Sequence, residues 1–274
     1  MRSWLFVPGH RQNMIEKAIG LEVDVIVFDL EDGVPEDAKE IARDQVRRAL
    51  EPSCAARRFV RTRATEHADF RGDLEAVAVG GLDGIVLPKV ECAEAVDGVS
   101  RVFEEMDPGP AHPQIVGMIE CASGLVKAPE IAAAVGLSGL MFGAEDFAQD
   151  LGILSTGAPG QMLYARSSIV VAAASAGKFA VDKVFLDVQN SDGLTEEARM
   201  ARELGFSGKS AIHPAQVEVI HKAFEPTEDE MVYARKVVAA FAAADGEGPI
   251  AVEGRMVDPP VLAHAKRILG EESA

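Results

Sequence analysis

The sequence predicts a (β/α)8 barrel of the TIM type with a C-terminal helical and hairpin extension. Three observations carry this. Eight short apolar, strand-like stretches recur along the chain, helical periodicity fills the gaps between them, and no single glycine-rich βαβ fingerprint dominates as in a doubly wound sheet. A length of 274 residues accommodates such a barrel, for which about 250 residues is typical.

The strand-like stretches lie at 3–7, 23–30, 58–62, 84–87, 114–119, 139–142, 183–186 and 209–212, spaced as βα units. Residues 11–21 and 38–50 read as helices, the second with Glu40, Asp44 and Arg47 on its wet side. Residues 165–176 form a small-residue helix suited to close packing. After Pro226 the character changes. Thr227 and Glu230 form a capping box that opens a helix over 228–244, and 245–249 is a turn-rich linker. A short hairpin over 250–257 turns at Gly254, and Pro259 and Pro260 open a last helix over 261–269. Residues 1–224 are therefore assigned to the barrel. Residues 225–274 are assigned to an extension, either a lid contacting a neighbouring subunit or a helix closing the barrel bottom.

Composition narrows the partners. A formal charge of −17 argues against nucleic acid and anionic membranes, both of which need a basic face. No apolar run reaches the ~20 residues that span a bilayer, and the apolar start of MRSWLFVPGHR is too short for a secretory signal. The cysteines, Cys54, Cys92 and Cys121, have no metal-ligand spacing and read as reduced thiols of a cytoplasmic protein, with Cys121 an unreactive wall residue.

Two strands end on carboxylates: QIVGMIE at Glu120 and GLMFGAED at Glu145 and Asp146, followed by Asp150. A core strand has no structural use for charge at its end, and burying it unpaired is costly. Two carboxylates at the mouth of a parallel sheet suit a hard divalent cation. The other strand ends are also charged: His10 and Arg11; Asp29, Glu31 and Asp32; Arg61 and Arg63; Lys89 and Glu91; Asp187; His213. No HxH or HExxH spacing, no GxSxG elbow and no P-loop lysine is present, which turns the reading from zinc, serine and P-loop chemistry to Mg2+ or Mn2+ held by oxygen. Metal, arginine and carboxylates together suit making or breaking a carbon–carbon bond beside a carbonyl. The same set also serves phosphotransfer, and composition leaves both open.

The stretches RSWLFVPGHR, FDLEDGVPEDAKEIAR, LPKVE, GAEDFAQDLG, GFSGKSAIHPAQ and EGRMVDPP, in this order, resemble the citrate lyase β-subunit-like family. That family belongs to the HpcH/HpaI aldolase–citrate lyase superfamily, with the malyl-CoA and citramalyl-CoA lyases, and the match runs from Arg2 to about Leu269. The resemblance implies a homotrimer or hexamer with one Mg2+ per site, held by Glu120 and Asp146. The backbone around Glu145 and Asp146 would receive the substrate carboxylate. Arg61 would contact the substrate and steady a thioester enolate, braced by Glu31 and Asp32. Phe6, Arg11 and Lys17 fall where relatives contact the adenine and phosphates of coenzyme A. Asp258 matches an aspartate delivered from an adjacent subunit to exchange a proton with the enolate; its alternative role is to cap the last helix. Arg63 departs from the family's usual Asn, an extra cation available to another carboxylate or a phosphate, and Gly33 replaces a frequent Ser.

The implied activity is Mg2+-dependent cleavage or formation of a 3-hydroxy-3-carboxyacyl-CoA thioester, giving an acyl-CoA and an α-oxo acid by retro-Claisen chemistry. The alternatives are an aldolase acting on free 4-hydroxy-2-oxo acids, a β subunit acting on a carrier-protein thioester within a complex, and a non-catalytic oxo-acid-binding subunit.

Overall fold

The computed structural model describes residues 1–106, 113–154, 156, 160–244 and 248–271. Eight parallel strands close into a barrel in sequence order: β1 (Ser3–Pro8), β2 (Val25–Asp29), β3 (Arg57–Arg61), β4 (Gly84–Leu87), β5 (Gln114–Ile119), β6 (Leu137–Phe142), β7 (Phe179–Asp182) and β8 (Gly208–Ala211). The barrel and its extra C-terminal helices are the architecture expected from the sequence. The helices on the first half are α1 (Gln12–Ile19), α2 (Lys39–Leu50), α3 (Phe70–Val77) and α4 (Ala93–Met106). On the second half come α5 (Ala122–Val126), α6 (Ala128–Ala132), α7 (Ala144–Asp150), α8 (Leu163–Ser175), α9 (Ser191–Leu204) and α10 (Ala215–Phe224).

The period-two alternation of each strand divides its side chains between two cores. Trp4, Val25, Val27, Phe59, Val86, Val116, Met118, Met141 and Val181 fill the barrel interior. Trp4 meets Phe59 edge-on, with ring centroids 4.9 Å apart. The alternate residues, among them Leu5, Ile26, Phe28, Val60, Ile85 and Ile119, pack outward against the helices. Continued past the last apolar residue, the inward columns end at Asp29 on β2, Arg61 on β3 and the position after β5, Glu120. Alternation thus aims the polar strand ends at the mouth.

One strand differs from expectation. The seventh is Phe179–Asp182, paired to Gly139–Met141 of β6, and not 183–186. The apolar run VFL at 184–186 that suggested a strand is connection: Leu186 is exposed, and the Phe185 carbonyl accepts a hydrogen bond from Gln216 Nε2 at 2.7 Å. The strand stops at Asp182, where a buried ion cluster takes over. Lys209 Nζ lies 2.8 Å from Asp182 and 2.7 Å from Glu197, and Arg166 is bidentate to Asp182 at 2.9 Å on both arms. Asp187 accordingly lies beyond the strand end.

The chain divides into two compact units, Met1–Phe224 and Glu225–Ala274. The second consists of α11 (Glu228–Ala243), the antiparallel pair β9 (Ile250–Val252) and β10 (Arg255–Val257), and α12 (Pro259–Ile268), around Ala234, Val237, Val252, Val257 and Ala265. The Thr227–Glu230 capping box is present in both directions. Residues 245–247 of the linker read from the sequence lie outside the described residues. Among the described residues no helix is long and apolar enough to cross a membrane.

Candidate active site

Strand register brings the polar column ends to one level. Pro8, Asp29 and Arg61 are successive Cα partners across β1, β2 and β3. Arg61 donates from Nε and NH2 to the two oxygens of Asp29, each at 2.7 Å, and its NH1 lies 3.1 Å from Glu31 Oε2. The Phe6 ring stacks on the guanidinium, 5.3 Å from Cζ to the ring centroid. This leaves N–H donors of Arg61 spare for a substrate oxygen. Burial pushes the Asp29 carboxyl up, but the Arg61 guanidinium and the amides of Glu31 and Gly33 outweigh it and hold Asp29 below the usual carboxylate range.

Glu120 and Asp146 line the same cavity of about 330 Å3 at the barrel mouth as Phe6, Asp29, Arg61 and Glu145. Glu120 is buried, with Oε2 accepting the Lys89 amide at 2.9 Å. Burial, then the charge of Glu31, pushes its carboxyl up to about 7 against the pull of Arg61. A carboxylate with this surplus of negative neighbours is one that a cation would stabilise. Glu31 is likewise raised by burial, and its Oε2 makes no hydrogen bond despite its closeness to Arg61. Among the described residues no three His, Cys, Asp or Glu side chains form a ready-made cage. Two carboxylates in an open cavity fit Mg2+, which keeps several waters, better than an ion that demands a full protein shell.

Two glycines make this geometry possible. A Cβ on Gly143 would lie 2.3 Å from Glu120 Cγ, and one on Gly33 2.3 Å from Asp29 Oδ2. The Gly33 amide instead donates to that oxygen at 2.8 Å.

The structure brings Arg61, Glu31, Glu120, Glu145 and Asp146 together at the mouth, with Phe6 and Asp32 lining the same cavity. Asp32 is mostly exposed and faces Lys89 at 3.7 Å; the bracing of Arg61 comes from Asp29 and Glu31. Arg11 and Lys17 stand exposed at the start and near the end of α1. Phe6 has one ring face taken by Arg61. In the second unit Asp258 caps α12, its Oδ1 accepting the Val261 amide at 3.2 Å. Arg63 is no free cation for substrate. It is 4% exposed, with Nε and NH2 on Asp73 at 3.0 and 2.9 Å and NH1 on Asp69 at 2.9 Å. Asp150 is structural, accepting the Ala122 amide at 2.7 Å, and Cys121 caps α5 through Sγ.

Sequence reasoning passed over Asp29 as the partner of Arg61. The signal was available: Asp29 shares inward parity with Val25 and Val27, as Arg61 does with Phe59.

Comparisons agree with this architecture. Residues 2–214 match the model of the HpcH/HpaI aldolase/citrate lyase family, and residues 161–272 match that of a C–C bond lyase of the TIM-barrel fold. Citrate lyase subunit beta of Escherichia coli K12 is 36% identical over 98% of this chain and 92% of its own length. The (3S)-malyl-CoA thioesterase of Cereibacter sphaeroides is 34% identical over 100% and 95%. The structure of the Mycobacterium tuberculosis protein CitE, in complex with magnesium, acetoacetate and coenzyme A, superposes with a TM-score of 0.85 at 38% identity, covering 98% of this chain and 97% of that one. With a family model spanning most of the barrel and full-length relatives above 30% identity, this chain is a member of the HpcH/HpaI aldolase/citrate lyase family.

Proposed function

We propose that the protein is a Mg2+-dependent carbon–carbon lyase that cleaves, or forms, a 3-hydroxy-3-carboxyacyl-CoA thioester of the malyl-, citramalyl- or citryl-CoA type. The observation that carries this reading is one cavity lined by Glu120, Asp146 and a braced Arg61. The M. tuberculosis relative, bound in one structure to magnesium, acetoacetate and coenzyme A and in another to magnesium and pyruvate, supports the same ligand classes here.

Glu120 and Asp146 would hold the ion, which when bound would supply Lewis-acid polarisation of the substrate. The first-turn amides of α7, beside Glu145 and Asp146, receive the oxo-acid carboxylate. Arg61 lends its spare N–H donors to the thioester oxygen as it gains charge in the enolate. Asp29 and Glu31 fix that guanidinium in place, so little reorganisation is needed when charge develops. In cleavage the substrate hydroxyl gives up its proton to solvent as the carbon–carbon bond breaks to the oxo acid and the thioester enolate. Asp258, from an adjacent subunit's extension, gives the enolate carbon a proton and is reprotonated from solvent. Arg11 and Lys17 supply the local positive charge that coenzyme A phosphates need on an acidic protein. The trimer or hexamer that the family resemblance implies needs a subunit interface, and α8 offers a surface for one: its outer side carries Tyr164 at 80% and Val171 at 67% exposure and no charged side chain, its one charge, Arg166, being buried.

The test is a panel of malyl-, β-methylmalyl-, citramalyl- and citryl-CoA assayed with and without Mg2+, with the same acids offered free of coenzyme A. Turnover of at least one thioester that vanishes with chelator and in Glu120→Ala is expected. Full activity of Glu120→Ala with Mg2+ would overturn the site.

A second reading, thioester hydrolysis, is favoured by the similarity to (3S)-malyl-CoA thioesterase. Products separate the two. The lyase releases an acyl-CoA and an oxo acid, whereas the hydrolase releases free coenzyme A and an intact hydroxy diacid.

A further inference from the structure

Lys89 follows β4 and is one of two described non-glycine residues with positive φ, at 53°. For a long side chain this left-handed backbone is uncommon and carries strain, which points to a local purpose. Its consequence is twofold. The amide is aimed at Glu120 Oε2 at 2.9 Å, and the ammonium turns into the carboxylates of the mouth. Nζ lies 2.8 Å from Glu31, 3.7 Å from Asp32 and 3.9 Å from Asp146.

The charge around this ammonium is lopsided. Asp29, Glu31, Asp32, Glu120 and Asp146 stand against Arg61 and Lys89. Arg61 is committed to Asp29 and Glu31, so Lys89 is the cation that touches both the bracing Glu31 and a metal ligand, Asp146. A divalent ion entering the mouth meets a monovalent one already associated with Asp146. An oxo acid entering afterwards brings further negative charge to a site in which carboxylates still outnumber cations.

Resting on the metal reading above, we propose that Lys89 is a positioning residue that sets the charge balance of the mouth. Its ammonium weakens the hold on the free divalent ion and strengthens the hold on the anionic oxo acid that follows. Removing the charge moves the two affinities in opposite directions. A purely structural role, through the amide on Glu120, would move them the same way.

Lys89→Asn removes the ammonium while placing a residue that tolerates left-handed φ. Lys89→Arg keeps the charge, and Lys89→Gly, least strained at this φ, serves if the Asn variant does not fold. Mn2+ is titrated into each metal-free protein by electron paramagnetic resonance, and pyruvate into the Mn2+-saturated protein by calorimetry. Lys89→Asn is expected to bind Mn2+ about 30-fold tighter and pyruvate about fivefold weaker, the sizes of a divalent and a monovalent charge each meeting one unit charge at ~4 Å in high dielectric, as suits a half-exposed ammonium. Lys89→Arg is expected to stay near wild type in both. Any result other than opposite shifts overturns the inference. Wild-type protein that binds no Mn2+ overturns the metal reading beneath it, so the two failures are distinguishable.

Discussion

Arg61 is stacked on Phe6 and paired with Asp29 and Glu31 before any substrate arrives. Such a guanidinium is rigid, and its value to catalysis depends on the carboxylates that hold it. Asp29→Asn keeps the shape but breaks a charge-assisted, bidentate contact inside the barrel mouth. Loss of one partner of a buried pair costs about 3 kcal/mol, which a urea midpoint would register. Activity is expected to fall by about 10- to 100-fold, the usual effect of losing a group that orients another. Wild-type turnover in a stably folded Asp29→Asn protein would remove Asp29 from the machinery. A direct change at the acting group, Arg61→Lys, is expected to cost more, about 100-fold or greater in kcat, because lysine offers no planar fork to enolate and Asp29 together.

The elements around the site are joined by contacts that depend on single atoms. At the β6–α7 junction, Gly143 lets the Glu120 side chain lie against its backbone, and an added methyl would meet Cγ at 2.3 Å. Gly143→Ala should therefore weaken Mn2+ binding by about tenfold or more while circular dichroism stays unchanged; unchanged affinity would mean that Glu120 is not a ligand. Between α2, α3 and the end of β3, Asp73 accepts from Arg43 at 2.8 Å and from Arg63 at 2.9 Å. Burial raises the Asp73 carboxyl, but the two guanidinium groups prevail and hold it below its ordinary value. A depressed folded-state value means the stabilisation is present above the unfolded value, about 4, and is lost as pH falls through the folded one. The stability gap between wild type and Asp73→Asn should accordingly be full at neutral pH and narrow progressively once the pH falls below about 5. A gap independent of pH would show that Asp73 acts by shape alone. Arg63 enters here as the clasp between these elements. From sequence it read as a spare cation because nothing local reveals that Asp69 and Asp73, on the following turn, fold back to it.

At the scale of the molecule, the barrel was legible because seven of the eight apolar runs coincide with strands, apart from shifts at their ends, and the acid-ended β5 and β6 do flank one cavity. β7 was displaced because a hydrophobic run can serve a connection as well as a strand. Lys89 was legible as a strand-end cation, but its double contact with Glu120 and Glu31 was not, because that depends on one left-handed backbone angle, which residue type does not disclose. The extension poses the remaining question of scale. Asp258 caps its own helix, a role compatible with delivery to a neighbouring site because only one carboxylate oxygen accepts the Val261 amide. If Asp258 works on the partner, a site is completed by two chains, and each of Arg61→Ala and Asp258→Ala is inactive alone. Co-expressed in equal amounts, the two variants form mixed assemblies in which some interfaces pair an intact Arg61 with an intact Asp258 from the neighbour. Random mixing in a closed ring leaves about a quarter of the interfaces complete, so activity should return to about a quarter of wild type. If Asp258 served its own barrel, every site in the mixture would lack one group and no activity would return. The same measurement on Val171→Glu, which places charge on the uncharged outer side of α8, should fail to complement and sediment as a smaller species. Complementation surviving in that variant would move the shared interface away from α8.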